Sequence, residues 1–565
     1  MSVTAVWSRA PVPEAAAELE AAGHPSWLAA LLARRGVHDA DEAESFLAPT
    51  LDDLHDPRRL AGIDAAVARL ARAREAGETV AIVGDYDVDG VSGTALLTAV
   101  FGACGLDVVP ILPHRLRDGY GFQPAHVEKA QAGGATLVVT VDCGTTSIEA
   151  ARAALDAGLE VIVTDHHLPG TPLPEGVLLV NPRQPECEYP FPDLSGAGLA
   201  FKLAVAFADA CDRPIDPRVL LRIACLGTVA DLVPLRGENR VIAALGLREL
   251  PHTRSLGLRA LIDVARLQAP YTADDIGYRL GPRLNAPGRV GSAEPALELL
   301  LTRDRVRAVR LARELDARNR ERQEWERRVA EQARETFVAQ DPLPPFLIAW
   351  SKNWHRGVVG IAAGRIAKEL QRPTVLLAVQ GAEAVGSGRS IEGVHLFDFL
   401  SAFRDRLPRF GGHAQAIGLT AETAGLEELK TSLLEAAQVF ADRVGKRRHV
   451  YELDLQPADV GDETMERLAR LEPFGQGNRK PLTRIVGPLR LTRAPRLFGR
   501  GHLDAEAVGP DRATIRLLGW GWAQRAEQLS ADFEALGYLE HDRYRDRPVL
   551  RLVDIRRAGT PDAPS

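Results

Sequence analysis

At 565 residues, 45% hydrophobic and 26% charged, the chain matches ordinary soluble globular proteins and, at roughly 150 residues per domain, has room for three to four domains. The 69 basic and 76 acidic residues leave a formal charge of -7, which argues against binding a polyanion through overall charge but leaves a local basic groove open. Five scattered cysteines without a CxxC pair exclude a disulfide framework and a cysteine zinc site; no apolar run is long enough to span a bilayer, so a cytoplasmic protein is expected.

Residues 1 to 75 read as a helical extension packing on the domain that follows. From there apolar strands at 79–84, 107–112, 136–141, 160–164 and 177–181 alternate with helices such as VSGTALLTAVFGAC and SIEAARAALDAG. Continuous β-branched runs separated by helices imply an α/β parallel sheet, with its site at the C-terminal strand ends. This domain is expected over 76–302. Residues 303–340 hold one long connecting helix, dense in Arg and Glu, whose arginines read mainly as a solvated, ion-paired face. After DPLPP, a smaller α/β domain is expected over 341–448 and an OB-like β-barrel of about five strands over 449–557, followed by a polar tail at 558–565.

The strand at 79–84 ends in DYDVDG, carrying Asp85, Asp87 and Asp89. An EF-hand is rejected because its twelfth position is Leu96 and a strand, not a helix, precedes it; the dehalogenase-type phosphatase pattern fails at Asp89. An ordinary turn and N-cap remains the bland alternative. The odds rise because TLVVTV ends in Asp142, EVIVT ends in Asp165-His166-His167, and IACLGTVA runs into Asp231, read here as another strand end. Converging carboxylates repel unless cations neutralise them, and the mixture with imidazole favours manganese or magnesium.

In this order DYDVDG, VDCG, TDHH and GTVAD resemble the motifs of the DHH phosphoesterase superfamily and, within it, the RecJ family of single-strand-specific exonucleases. PHRLRDGYG, RLGPRLNAPGR, NWHRGVVGIAAGRI, GSGRS, FGGHAQAIG and LEPFGQGN extend the resemblance over about residues 40 to 555, although NWH stands where many relatives have Gly before Trp-His. The resemblance implies two divalent ions, Mn2+ or Mg2+, held by Asp87, Asp89, Asp142, His166 and Asp231, with Asp142 bridging. Asp85 would be an additional ligand or support one, and His167 would touch the scissile phosphate or protonate the leaving oxygen. In-line hydrolysis of a phosphodiester follows from that arrangement.

The 341–448 region resembles a DHHA1 substrate-binding domain. There GSGRS reads as a Gly-rich turn offering backbone N–H groups with Ser387, Arg389 and Ser390 to a phosphate. By resemblance Arg115, Ser387 and Arg389 read the 5′ end, Tyr120 stacks on a base, and Arg279, Arg283, Asn285 and Arg289 touch backbone phosphates or brace the lobes. His355 and His413 are expected to support the site rather than ligate. In the barrel, Trp520, Trp522, Phe533, Tyr538 and Tyr544 are candidates for stacking, with core the favoured reading for any one of them; Lys446, Arg447 and Arg448 form a small basic cluster. The expected function is 5′-to-3′ degradation of single-stranded DNA to mononucleotides in repair and recombination, by a monomer working with a single-strand-binding protein and a RecQ-type helicase. Two alternatives are a related phosphodiesterase of short oligonucleotides or cyclic dinucleotides, and a non-catalytic replication scaffold.

Overall fold

The computed structural model describes residues 4–114, 117–119, 121–185, 187–499, 501–542 and 545–563. Its contacts divide the chain into two units, one of residues 11–318 with 452–559, the other of residues 1–10 with 319–451 and 560–565. Strand β1 (Thr4–Arg9) belongs to the second unit, where it pairs in parallel with Lys446–Tyr451. The helical reading of residues 1–75 therefore needs correction at its start. Strand pairing across more than 400 residues leaves no local periodicity by which so short a segment could be recognised.

The first unit begins with helices α1 (Ala16–Ala21), α2 (Ser26–Ala33), α3 (Ala40–Leu47) and α4 (Ile63–Ala76). Strand β2 (Thr79–Gly84), α5 (Val88–Ala103), β3 (Asp107–Ile111), α6 (Pro124–Ala132), β4 (Ala135–Val141), α7 (Ile148–Asp156), β5 (Glu160–Thr164) and β6 (Leu178–Val180) follow in strict alternation until β6. All pairings are parallel and the strand order is β3-β2-β4-β5-β6. The chain leaves β2 towards one edge and returns on its other side as β4, so the strand order reverses between β2 and β4, where α/β sheets open a crevice. Helices α8 (Gly196–Ala210), α9 (Pro217–Ala230) and α10 (Gly237–Glu249) complete one core with α4, α5 and the sheet.

In the second unit, β7 (Leu347–Ser351), β8 (Thr374–Gln380), β9 (Glu383–Arg389), β10 (Arg409–His413) and β11 (Ala416–Glu422) form a sheet of order β10-β11-β9-β8-β7, parallel only between β7 and β8. The partner of β1 is β12 (Lys446–Tyr451). The GSGRS stretch is thus strand, not turn. Its strand β9 lies between β8 and β11, so its backbone N–H groups serve the ladders and cannot form the anticipated phosphate nest. The glycines answer close packing instead: a Cβ on Gly386 would lie 2.6 Å from the Leu376 carbonyl oxygen, and one on Gly388 2.7 Å from Ile417.

The barrel in the first unit comprises β13 (Leu453–Leu455), β14 (Thr483–Leu491), β15 (Arg496–Phe498), β16 (His502–Val508), β17 (Thr514–Gly519), β18 (Phe533–Asp542) and β19 (Arg547–Arg557). The β14–β16 pairing closes a ring of β14, β18, β19, β17 and β16, with β13 and β15 as added edges. Trp522 and Phe533 are core and Trp520 is exposed; Tyr544 lies outside the described residues. Helices α1 to α3 share their core with the barrel rather than with the parallel sheet, contrary to the expectation for the N-terminal extension. Among the described residues no helix is long and apolar enough to cross a membrane.

Arg240 of α10 joins these parts of the first unit. It is buried, lies with its guanidinium carbon 3.8 Å from the centre of the Phe46 ring, and donates to the carbonyls of Phe46, Arg470, Leu471 and Glu472. Truncating it strands buried acceptors, each a desolvation loss. Arg240→Ala should cost about 3 kcal/mol of stability or more, read as a lowered unfolding midpoint in urea.

Candidate metal centre

Parallel pairing in register aligns Gly84 with Val141, Val141 with Thr164, and Thr164 with Val180. The next residues, Asp85, Asp142, Asp165 and Asn181, therefore stand side by side at the sheet edge. The N–H groups of Asp85, Asp142 and Asp165 donate to the carbonyls of Val141, Thr164 and Val180, which carries the ladder one residue past the strands. Asp142 takes a left-handed φ of 61°, a conformation Asp tolerates better than most residues and one typical of functional strand ends.

Asp87 caps α5, its Oδ1 accepting from the N–H groups of Asp89 and Gly90. Asp89, in the first turn of α5, is buried and points at the start of α8, where Oδ2 accepts from Gly196 N–H at 2.6 Å and Oδ1 from Ala197 N–H at 2.9 Å. A helix N-terminus with unsatisfied amides is a natural seat for a carboxylate. Glycines make this approach possible: a Cβ on Gly227 would fall 2.3 Å from Asp89 Oδ1, and one on Gly196 2.6 Å from Asp142 Cβ. Asp231 comes from the C-cap of α9, not from a strand; IACLGTVA is helical because its apolar residues cover one helix face against the core.

His166 Nε2 lies 3.0 Å from Asp142 Oδ1, 3.6 Å from Asp231 Oδ2 and 3.8 Å from Asp89 Oδ2. Three groups of potential ligand atoms result, each within 4.8 Å: Asp89 with His166 and Asp231; Asp85 with Asp87 and Asp142; Asp142 with His166 and His167. Asp142 belongs to two of them, between the other acids. The donor set of carboxylate oxygens and imidazole suits hard divalent ions. Asp85 Oδ1 is buried and has no hydrogen-bond partner among the described residues, as an oxygen reserved for a cation would be.

Electrostatics point the same way. Burial, then the neighbouring carboxylates, raise Asp85 and Asp89 to about 7, Asp231 to about 9 and Asp142 well above its ordinary value. Burial lowers His166 to about 4, keeping its ring neutral as a ligand must be. At Asp165, burial pushes upward but is outweighed by the His167 hydrogen bond and charge and by backbone N–H groups, leaving it at about 2. Its Oδ1 holds His167 Nδ1 at 2.7 Å, and for His167 this partner outweighs burial and raises the ring. A cavity of about 900 Å³ opens beside these histidines, lined among others by Gln123, Thr146, Ser147 and Arg183.

The structure thus brings together Asp85, Asp87, Asp89, Asp142, His166, His167 and Asp231. Arg115 and Tyr120 lie outside the described residues. The helix Gly281–Val290 abuts the metal loop, a Cβ on Gly288 falling 3.0 Å from the Tyr86 carbonyl oxygen; Asn285 and Arg289 are half-buried on it. Arg283 is tied to Asp316 at 2.8 Å, and Arg279 donates to the Ala265 carbonyl, so both brace this helix. In the second unit Ser387 and Ser390 donate their hydroxyl protons to the carbonyls of Ile417 and Val394, Arg389 donates to Ser387 Oγ, and His413 accepts from Gln415 N–H. Asp165 was singled out with the strand ends but given no role, and Gly196, Ala197, Gly227 and Arg183 were missed as site residues; Ser195 before GAG, a helix N-cap pattern, was the signal that marked the start of α8.

Three family models match the chain: the DHH family N-terminal domain over residues 79–228, the DHHA1 domain over 343–442 and the RecJ OB domain over 451–554. It is 38% identical over 463 residues to the single-stranded-DNA-specific exonuclease RecJ of Bacillus subtilis, a match covering 80% of this chain and 58% of that protein's length. With the Escherichia coli protein of the same description, identity is 36% over 510 residues, covering 86% and 87%. The crystal structure of RecJ in complex with Mn2+ from Thermus thermophilus superposes with a TM-score of 0.82 at 31% identity, covering 100% of this chain and 81% of that one.

Two outcomes follow from the crowded acids. Their raised values mean that the metal-free fold binds more protons than the unfolded chain between about pH 4 and the folded values of about 7 to 9, so this contribution to stability is complete below that window and lost as pH rises through it. Mn2+ must displace those protons. Its affinity, followed by calorimetry, should tighten by about tenfold per pH unit for each proton displaced between pH 6 and 8, and its thermal stabilisation of the protein should grow in parallel. Gly227→Ala should weaken Mn2+ binding by about tenfold to a hundredfold, since its methyl group displaces the Asp89 carboxylate; unchanged binding would contradict the tight contact.

Proposed function

Because the chain belongs to the RecJ family of single-stranded-DNA-specific exonucleases, we propose that it hydrolyses single-stranded DNA from the 5′ end at this cluster, releasing 5′-mononucleotides in repair and recombination. The observation that carries the reading is that one buried carboxylate, Asp142, serves two ligand groups at once. Asp89, His166 and Asp231 would hold one divalent ion and Asp85 and Asp87 the other, with Asp142 within reach of both groups. Two such ions, Mn2+ or Mg2+, supply charge neutralisation at the attacking and departing oxygens and acidify a water.

The chain's own groups do the rest. The α8 N-terminus fixes Asp89, and the left-handed backbone of Asp142 aims its carboxylate between the two groups. His167, held through Nδ1 by Asp165 and raised in pKa by it, is protonated more readily than a solvated imidazole and gives the proton to the departing oxygen from Nε2. Asn181 donates to the His167 carbonyl and to Thr145 Oγ1, which steadies the loop carrying both histidines. In the second unit, Arg389 reads the 5′ phosphate through its side chain rather than through a backbone nest. The reading includes a monomer in the cytoplasm that receives its strand from a RecQ-type helicase and a single-strand-binding protein.

Asp142→Asn should lower the Mn2+-dependent rate more than about a hundredfold, exceeding the loss usual for a residue that only supports a ligand. With end-labelled single strands, labelled mononucleotide should appear first from the 5′-labelled substrate, and duplex should resist. First release from the 3′ label, or full activity of the Asn variant, would overturn the assignment.

A further inference from the structure

All five cysteines are free thiols, yet they are not equivalent. Cys143 and Cys225 donate to the carbonyls of Val83 and Arg222; Cys104 and Cys211 are buried as well but sit at helix ends. Cys104 and Cys211 are each the C-cap of a helix, α5 and α8, and these helices lie side by side. One turn earlier in each, Phe101 and Phe207 meet edge to face with centroids 5.1 Å apart. Just beyond, the Arg213 guanidinium donates to the Ala103 carbonyl, so the two helix ends are also joined across their caps. The two side chains adjoin in one core, and the exposed Arg74 at the end of α4 is a neighbour of Cys211.

We infer that Cys104 and Cys211 are a peroxide-oxidisable dithiol, a modification site that closes an intramolecular disulfide between the ends of α5 and α8. The two thiols have distinct parts. Burial and the neighbouring Cys211 sulfur raise Cys104 to about 11, so it keeps its proton and Cys211 attacks first. The Cys211 thiolate attacks one oxygen of hydrogen peroxide; the O–O bond breaks, a sulfenic acid forms and, with a proton, one water leaves. The Cys104 sulfur attacks the sulfenyl sulfur, the S–S bond forms, and the hydroxyl leaves with the Cys104 proton as a second water. Two thiols lose two electrons in all, and one peroxide becomes two waters.

The position matters because the opposite ends of the same helices meet at Asp89: α5 carries it, and α8 donates Gly196 and Ala197 N–H to it. Oxidation would tie the far ends of the two helices that together seat a metal ligand.

The test treats the folded full-length protein with hydrogen peroxide, then alkylates it under denaturing conditions. Two of the five thiols should become unreactive and return with dithiothreitol, and non-reducing digestion should yield one linked pair of peptides containing Cys104 and Cys211. The loss should disappear in Cys104→Ser and Cys211→Ser. Five thiols still alkylated, a link through Cys143, Cys187 or Cys225, or survival of the two-thiol loss in either variant would overturn the inference. These readouts do not depend on nuclease activity, so they stand or fall apart from the proposed function.

Discussion

Mutual repulsion among carboxylates gathered at one dry sheet edge is the constraint around which the catalytic unit is arranged. Asp85, Asp89, Asp142 and Asp231 are each raised by burial and by one another, a cost no fold carries without a compensating charge. Divalent cations answer it, and the neutral, burial-lowered His166 adds a ligand without adding repulsion.

The backbone does most to hold these acids in place. Parallel register sets Asp85, Asp142 and Asp165 in a row, and the reversal of strand order between β2 and β4 opens space above the first two. Two helix starts then supply amides: α5 to its own Asp87 cap, α8 to Asp89. Gly196 and Gly227 are needed because carboxylates occupy the space a side chain would fill. Asp165 stands apart from the other acids. Satisfied by backbone amides and by His167, it stays ionised and raises the pKa of the histidine beside it.

Much of this was legible because strand-end chemistry is local. A β-branched run followed at once by Asp or His announces both the strand and the residue at its exposed tip, so DYDVDG, VDCG and TDHH could be placed on one edge before any coordinates. GTVAD reached the right site by the wrong route, since a short apolar run bounded by glycine reads alike as strand or helix and only packing against α8 and α10 decides it. GSGRS misled for a related reason: glycine usually punctuates turns, whereas here Gly386 and Gly388 make room for neighbouring strands. Arg279 and Arg283 could be read as phosphate contacts or as braces because charge is visible in sequence and its partner is not; in the structure Arg279 donates to the Ala265 carbonyl and Arg283 pairs with Asp316.

The composition posed the sharpest contradiction, a net charge of -7 on a chain whose relatives are named for acting on a polyanion. Sequence alone resolved part of it, since the resemblance marked Asp87, Asp89, Asp142, His166 and Asp231 as cation ligands, with Asp85 beside them and His167 at the phosphate, while local spacing and periodicity announced the alternating strands and helices, the long Arg- and Glu-rich helix and the terminal barrel. Tertiary structure decided what depends on partners far away in the chain: the pairing of β1 with β12, the joining of α1 to α3 with the barrel, the seat of Asp89 on α8, and the meeting of Cys104 with Cys211. Side-chain identity and short-range pattern are written along the chain, whereas the neighbour that satisfies a buried group is chosen only when distant segments pack.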